Sequence, residues 1–267
     1  MFKIIKTEYF DNFGCLMDKC KANCCDENWI ISIDDGTYNL YKKLNICDFD
    51  KKISPDTHTI IKENGKCPFI LENGLCYWHK EYGEDYLSNT CKSYPRFVSS
   101  YGDLYVENIG LSCPASAQWI VSLDHKCEIV EQIYVEDETE NPNEYKMLKA
   151  EVLMRTVINI LYKNDLFTEG ISELYQLFDS VEKVNWNKDM CSAFNLLFSN
   201  IAICYLFEHI MLETKKDIPD YVSVINSFCS IISTIASRYS EEESTYENKE
   251  LLSDIIYKTM REMDHII

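Results

Sequence analysis

The fold of this chain is decided by the stretch GCLMDKCKANCCDENW, residues 14–29, which places four cysteines within eleven positions. Thiolates are soft ligands, and four of them complete either a tetrahedral zinc site or an iron–sulfur cubane. Structural zinc is usually bound by Cys-x2-Cys pairs, and this stretch contains none. The spacing therefore predicts a cysteine-ligated metal centre and favours an iron–sulfur cluster over zinc by a narrow margin.

Outward from this stretch, the remaining cysteines are unevenly distributed. Ten of the 13 lie in residues 1–127, and the second group among them comprises Cys67, Cys76, Cys91 and Cys113. His79 follows Cys76 at Cys-x2-His spacing, either as a ligand or as a hydrogen-bonding neighbour of aromatic residues. Three cysteines in apolar helical sequence are expected to pack in a core as small hydrophobic residues: Cys191, Cys204 and Cys229. In the reducing cytosol, so many cysteines in one region indicate metal binding more often than disulfides.

The apolar pattern predicts a mostly α-helical protein in which an irregular cysteine-rich region, residues 1–133, packs on a C-terminal helical domain, residues 145–267. The acidic residues 134–144 between them contain a proline and predict a linker. Turn signals recur in the first region, where Tyr38–Leu44 and Tyr82–Ser88 are typical of short helices. Apolar residues three and four positions apart predict a bundle of about five helices in the second region. These cover Met147–Leu161, Ile171–Val181, Phe194–Leu212, Tyr221–Ile235 and Leu252–Ile267.

Composition limits the partners and the location that we expect. The chain has 44 acidic and 26 basic residues, a formal net charge of −18. This charge disfavours binding to a nucleic-acid backbone and suits a protein partner that presents lysines. The sequence shows no run of 18 or more apolar residues and no secretory signal, so we expect a cytoplasmic protein with no membrane partner.

Polar residues near both cysteine groups form candidate sites for an amine and for a carboxylate. Asp34, Asp35 and Tyr38 could orient or deprotonate an amine, although an N-cap and a packed aromatic at a helix start explain the same residues. Arg96, two positions after Tyr94, is the only arginine in the cysteine-rich half and could bind a carboxylate through two parallel hydrogen bonds. A structural ion pair at Arg96 is an equal alternative.

Three segments taken together resemble the bacterial flagellin lysine-N-methylase family. Residues 13–44 contain Cys-x3-Cys-Cys-x3-Trp, and residues 111–121 contain Ser-Cys-Pro-x2-Ala. Residues 67–97 contain Cys-Pro-Phe, Leu-Cys-x2-His, Tyr-Gly-Glu and Cys-x2-Tyr-Pro-Arg. The resemblance covers about half of the chain, and the helical half matches no family motif.

The resemblance implies an enzyme that methylates lysine side chains of a protein, with S-adenosylmethionine as methyl donor, flagellin or a related surface protein as substrate, and a 4Fe–4S cluster. It implies a pool of seven cluster ligands: Cys20, Cys24, Cys25, Cys67, Cys76, Cys91 and Cys113. In such an enzyme Asp34, Asp35 or Tyr38 would accept the lysine proton, and Arg96 with Tyr94 would bind the methyl donor. The alternative function is a non-catalytic module in which zinc or iron only crosslinks a small domain.

Overall fold

The computed structural model describes residues 1–22, 24–26, 29–135, 149–178, 181, 183–184, 186–242 and 248–264. These residues belong to two units. The sheet–helix unit consists of Met1–Phe13, Arg96–Ser112 and Ser116–Ile267, and the cysteine unit of Gly14–Pro95 with Cys113–Ala115. Helix accounts for 54% of the described residues, so the prediction of a mostly helical protein is confirmed.

The cysteine unit contains short helices separated by turns and isolated bridges. Those that lie wholly within it are α1 (Asp35–Lys43), α2 (Phe49–Lys52), α3 (Tyr77–Tyr82) and α4 (Asn89–Ser93). The helix predicted at Tyr38–Leu44 corresponds to α1. The stretch predicted as a helix at Tyr82–Ser88 contains only a 3-10 helix, Glu84–Tyr86, because α3 ends at Tyr82. Gly83 ends α3 with a φ of 86°, a conformation that residues with a side chain rarely adopt.

An aromatic stack forms the core of the cysteine unit. The rings of Tyr41 in α1 and Trp78 in α3 lie 3.6 Å apart and are within 3° of parallel. Phe69 packs against the same indole, with ring centroids 5.3 Å apart. The Tyr41 hydroxyl donates to the carbonyl of Tyr86 at 2.5 Å, so burial leaves this polar group satisfied. The stack thereby fixes α3 against α1.

A four-stranded sheet, which the sequence patterns did not predict, forms part of the sheet–helix unit. Its strands are β1 (Phe2–Thr7), β2 (Arg96–Tyr101), β3 (Leu104–Ile109) and β4 (Ile129–Tyr134), in the order β2-β3-β1-β4. β1 runs parallel to β3 and antiparallel to β4, while β2 and β3 form a hairpin. Gly102 supplies the left-handed residue of the hairpin turn, with a φ of 65°.

The sheet explains why the two units divide the chain differently from the predicted regions 1–133 and 145–267. β1, β2 and β3 come from the N-terminal half of the sequence, but their pairing with one another and with β4 places them in the sheet–helix unit. The predicted linker, 134–144, lies outside the described residues except for Tyr134, which ends β4, and Val135.

Seven helices are described after Cys113. They are α5 (Pro114–Ser122), α6 (Lys149–Lys163), α7 (Phe167–Leu177), α8 (Lys188–Ala193), α9 (Asn195–Glu213), α10 (Tyr221–Glu242) and α11 (Lys249–Asp264). Five of them, α6, α7, α9, α10 and α11, correspond to the predicted helices, although the ends predicted at 147 and 267 lie outside the described residues. The short helices α5 and α8 were not predicted. The bundle prediction is thus confirmed in outline.

Helix α9 is the central helix of the sheet–helix unit. It packs against α6, α10 and β3, and nearly all of its side chains are buried. Among the described residues it alone is long and apolar enough to cross a membrane, but 72% of that window is buried inside the protein. This burial agrees with the predicted core helix at Phe194–Leu212.

A buried ion-pair network joins the sheet to α6. Lys3 of β1 donates to Oε1 of Glu151 at 3.0 Å, and both side chains are almost completely buried. Arg155, one turn further along α6, donates to the same carboxylate from Nε at 3.0 Å and from Nη2 at 2.8 Å. Glu131 of β4 lies 3.0 Å from Lys3 and also hydrogen-bonds Arg155. Two carboxylates therefore compensate two cations between the sheet and the helix.

Candidate metal centre

Four cysteine side chains line one cavity in the cysteine unit, which we call the thiol cavity: Cys25, Cys67, Cys76 and Cys91. The other lining side chains are apolar or aromatic apart from one serine: Ile31, Ile33, Tyr41, Ile60, Phe69, Trp78, Leu87 and Ser88. Four soft donors are thus gathered in largely apolar surroundings.

Backbone hydrogen bonds bring the first cysteine group to the second. Cys25 lies in a 3-10 turn, Cys24–Asp26, and its carbonyl accepts a hydrogen bond from the N–H of Cys67 at 3.0 Å. The indole of Trp29 donates to the carbonyl of Cys24 at 2.7 Å. These two contacts fix the turn beside the start of the second group, although the two groups are far apart in sequence.

Short helices position the other two lining thiols. Cys76 is the N-cap of α3, and a bridge to Ile70 holds the chain that leads into it. Cys91 lies in the first turn of α4, where its N–H donates to Oγ of the N-cap Ser88 at 3.2 Å. Backbone hydrogen bonds at the start of each helix therefore fix the positions from which these two thiols extend.

Mutual contact and burial determine how readily these thiols ionise. Hydrogen bonds with Cys24 and Cys67, together with burial, raise the pKa of Cys25. The hydrogen bond with Cys25 lowers the pKa of Cys67, so Cys67 ionises before Cys25. Burial raises the pKa of Cys76, and it raises the pKa of Cys91 to about 12. Because the thiolate is the ligand form, metal binding would displace the protons that burial retains.

Three members of the predicted ligand pool do not line the thiol cavity. The Cys24 thiol hydrogen-bonds Cys25 from the same turn. Cys20 donates to the carbonyl of Ala22 at 3.3 Å, and Cys113 is buried within the cysteine unit. The structure therefore divides the predicted pool of seven into four lining cysteines and three others.

The cysteines of the sheet–helix unit have a different environment. Cys191, Cys204 and Cys229 are buried in its apolar core, which confirms the prediction that they pack as hydrophobic residues. Cys127 is also buried, with its sulfur 3.6 Å from that of Cys204. No disulfide joins any of the 13 cysteines, all of which belong to the described residues.

The four thiols of the thiol cavity are compatible with one of the two metal centres that the sequence predicted, a zinc ion or an iron–sulfur cluster, and less so with the other. Within the described ranges, no three side chains of His, Cys, Asp or Glu lie close enough together to hold a single metal ion. The four lining thiols instead surround a shared space. A 4Fe–4S cluster takes four thiolates distributed around its iron atoms, and the residues present fit that requirement.

One predicted proton acceptor is a helix cap. The carboxylate of Asp34 accepts hydrogen bonds from the N–H of Asn89 at 3.0 Å and from the N–H and the hydroxyl of Thr37 at 2.9 Å. These bonds lower the pKa of Asp34, because they stabilise its ionised form, and make it a weaker base. Asp34 does not line the thiol cavity. Of the two interpretations of Asp34, a proton acceptor or a helix N-cap, the structure shows the N-cap of α1.

The other two predicted acceptors, Asp35 and Tyr38, meet a histidine that no motif singled out. The exposed carboxylate of Asp35 lies 2.9 Å from Nδ1 of His58. The His58 ring stacks on buried Tyr38, with centroids 3.8 Å apart and planes 12° from parallel. A carboxylate that orients an imidazole is an arrangement able to accept a proton. These three side chains form a group of their own, and none of them lines the thiol cavity.

The predicted donor-binding residues have structural contacts. Arg96 begins β2 in the sheet–helix unit and donates to the backbone carbonyls of Phe10 at 3.4 Å and Phe13 at 3.0 Å, while its guanidinium covers the Phe13 ring. Tyr94, in the cysteine unit, packs edge-on against Trp29 with centroids 4.8 Å apart. These contacts favour a structural role for Arg96, in which the guanidinium bonds backbone carbonyls of the described residues.

Trp78 is the lining residue that sequence reasoning overlooked. It lies two positions after Cys76, next to His79, which attracted attention as a possible ligand but does not line the thiol cavity. The burial of Trp78 identifies it as a lining residue, but burial cannot be inferred from the sequence of a segment without regular secondary structure.

Comparison with curated proteins relates the chain to methylases. It is 29% identical over 129 residues to "Lysine-N-methylase" of Salmonella typhimurium and of Salmonella choleraesuis, a match that covers 43% of this chain and 32% of each relative. Over this part of its length, the chain is similar to these lysine-N-methylases. It is also 29% identical to "Flagellar biosynthetic protein FliU" of Salmonella muenchen, over 75% of that protein. The predicted resemblance to the lysine-N-methylase family is confirmed.

The relationship covers part of each protein. The match spans about a third of the length of the two lysine-N-methylases. No family model matches the chain, and no solved structure matches it. The similarity to lysine-N-methylases therefore concerns a part of this chain and a part of each relative.

Proposed function

We propose that this chain is a protein lysine N-methyltransferase that uses S-adenosylmethionine and holds a 4Fe–4S cluster in the thiol cavity. The observation that carries the proposal is the convergence of Cys25, Cys67, Cys76 and Cys91 on one cavity in a relative of lysine-N-methylases. The four lining thiolates are the proposed ligands. Cys20, Cys24 and Cys113 remain members of the ligand pool that the family resemblance implies.

The residues of this chain would perform three tasks in the reaction. A bound cluster would supply redox-active iron. The four thiolates would hold it, and the apolar lining side chains, Ile31, Ile33 and Phe69 among them, would exclude water from it. Asp35 and His58 together form the proposed base that accepts the proton of the substrate lysine, because Asp34 is committed to the cap of α1.

The transfer itself balances without a further reactant. Only the neutral amine has a lone pair, so the lysine first loses its proton to the base. The lysine nitrogen then forms a bond to the methyl carbon while the bond between that carbon and the donor sulfur breaks. The electron pair of the broken bond remains on sulfur, and S-adenosylhomocysteine leaves.

The charge of the chain supports a protein substrate. A net charge of −18 favours the approach of a lysine-bearing segment by long-range attraction. Flagellin or a related surface protein, encountered in the cytoplasm before export, is the proposed substrate class, and nucleic acid and membrane are not proposed as partners. The relatives named lysine-N-methylase support a protein substrate in general.

The methylase proposal predicts a covalent product. Co-expression of the intact chain with flagellin is expected to add methyl mass to flagellin lysines, detected by mass spectrometry of flagellin peptides. A Cys67→Ala variant is expected to leave flagellin unmodified, whereas Cys229→Ala, in the core of the sheet–helix unit, should retain the modification. Unmodified flagellin from cells in which the protein carries its full cluster would contradict the proposal.

One observation favours a second candidate, the non-catalytic metal-binding module. Asp34, Asp35, Tyr38, Arg96 and Tyr94 all lie outside the residues that line the thiol cavity. A metal centre fully ligated by the four cysteines would then only crosslink the cysteine unit. Calorimetric titration of the metal-loaded protein with S-adenosylmethionine separates the two candidates, because the module predicts no binding.

A further inference from the structure

The indole N–H of Trp78 is a buried donor whose hydrogen-bonding capacity is unused in the described part of the chain. The side chain is 2% exposed, and Nε1 has no partner among the described residues. Buried polar groups are nearly always paired, because desolvating a donor without replacing its hydrogen bond is unfavourable. Such a group indicates an acceptor other than the atoms of the described residues.

Neighbouring rings prevent Trp78 from turning to find another acceptor. Tyr41 covers one face of the indole at 3.6 Å, and Phe69 packs against it at 5.3 Å. Tyr77 contacts it edge-on at 5.2 Å. The aromatic stack therefore fixes the position of the N–H group relative to the thiol cavity, which the Trp78 side chain itself lines.

Among the side chains that line the thiol cavity, the possible acceptors are the sulfurs of four cysteines and the hydroxyls of Tyr41 and Ser88. The hydroxyl of Tyr41 donates to the carbonyl of Tyr86, and Oγ of Ser88 already accepts from the N–H of Cys91. The indole of Trp29, by contrast, has the carbonyl of Cys24 as its acceptor. A thiol is a weak acceptor, whereas a thiolate or an inorganic sulfide carries negative charge and accepts more strongly.

We propose that Trp78 is a positioning residue whose Nε1–H donates a hydrogen bond to a sulfur atom of the metal centre in the thiol cavity. The proposal rests on the proposed function in so far as the cavity holds an iron–sulfur cluster. A hydrogen bond to sulfur stabilises the reduced, more negative cluster, so it raises the reduction potential. Trp78 thereby adjusts the cluster without being one of its ligands.

The first measurement detects the contact directly. Intact holo-protein is prepared with ¹⁵N in the tryptophan indoles, the cluster is reduced, and pulsed electron paramagnetic resonance records hyperfine coupling to ¹⁵N. We expect a ¹⁵N coupling in the native protein and in Trp186→Phe, whose indole lies in the sheet–helix unit, and its loss in Trp78→Phe. A coupling that persists unchanged in Trp78→Phe would overturn the proposal.

The second measurement is the reduction potential of the same samples. Trp78→Phe is expected to shift the potential to a more negative value, and Trp186→Phe is expected to leave it unchanged. If Trp78→Phe fails to assemble a cluster, benzothienylalanine at position 78 keeps the ring size and removes only the N–H, and the same negative shift is expected. An unchanged potential with a full cluster overturns the role of Trp78 alone. Native protein without labile sulfide overturns the proposed function and this inference with it.

Discussion

Replacement of Cys67 with alanine is expected to remove most of the iron and acid-labile sulfide from protein purified without oxygen. Cys67 joins the two cysteine groups, because its N–H bonds the Cys25 carbonyl and its thiol contacts the Cys25 thiol. Its loss removes one ligand and leaves the other thiols to bind an incomplete centre in a unit with little regular structure. Alanine at Cys25, Cys76 or Cys91 is expected to have the same effect, measured as iron and sulfide per chain.

Matched cysteine variants test whether the thiol cavity is the binding site. Cys191→Ala and Cys229→Ala remove buried sulfurs from the sheet–helix unit and should retain full iron and sulfide. Cys20→Ala and Cys113→Ala, which do not line the cavity, should lose less than the lining variants. Equal iron loss in lining and core variants would contradict the assignment of the cavity as the metal centre.

Replacement of Glu151 with alanine is expected to destabilise the sheet–helix unit by about 3–5 kcal/mol, the cost of leaving a buried charge without its partner. Glu151 is fully buried and accepts hydrogen bonds from Lys3 and Arg155. Without it, Glu131, which is partly exposed, must compensate both cations. The free energy of unfolding is measured by chemical denaturation, followed by far-ultraviolet circular dichroism.

A surface ion pair of the same unit provides the control. Glu262 of α11 pairs with Arg238 of α10 at 2.6 Å, and both side chains are substantially exposed. Glu262→Ala should change the free energy of unfolding by no more than about 1 kcal/mol, because water solvates the remaining charge. If Glu151→Ala lowers the free energy of unfolding no more than Glu262→Ala does, Glu151 does not stabilise the unit by compensating buried charge.

The helices in the second half of the sequence could be predicted, because apolar residues at three- and four-residue spacing indicate which face of each helix is buried. Helix α9 is apolar on most sides and was predicted within one residue of its observed bounds, Asn195–Glu213. The sheet could not be predicted, since β1 buries Lys3 and Thr7 on the same face as Ile5. Lys3 is buried only because Glu151, distant in sequence, neutralises it. An alternation of apolar and polar residues was therefore absent from the strand.

The sequence was sufficient to predict the type of ligand at the candidate site, but not which of the cysteines lie together. The sequence identified seven candidate ligands, and a tertiary contact between Cys25 and Cys67 decides which of them surround a common space. The two alternatives left open at Asp34 also depended on tertiary contact, because the N–H of Asn89 reaches its carboxylate from α4. Trp78 could not be recognised, since an unpaired indole is visible only once its neighbours are placed.

The most direct test of this account is the metal and sulfide content of the intact chain after purification without oxygen. We expect about four irons and about four acid-labile sulfides per chain, with no stoichiometric zinc, because the four lining thiols fit a 4Fe–4S cluster. One tightly bound zinc per chain and no labile sulfide would contradict the cluster in the thiol cavity.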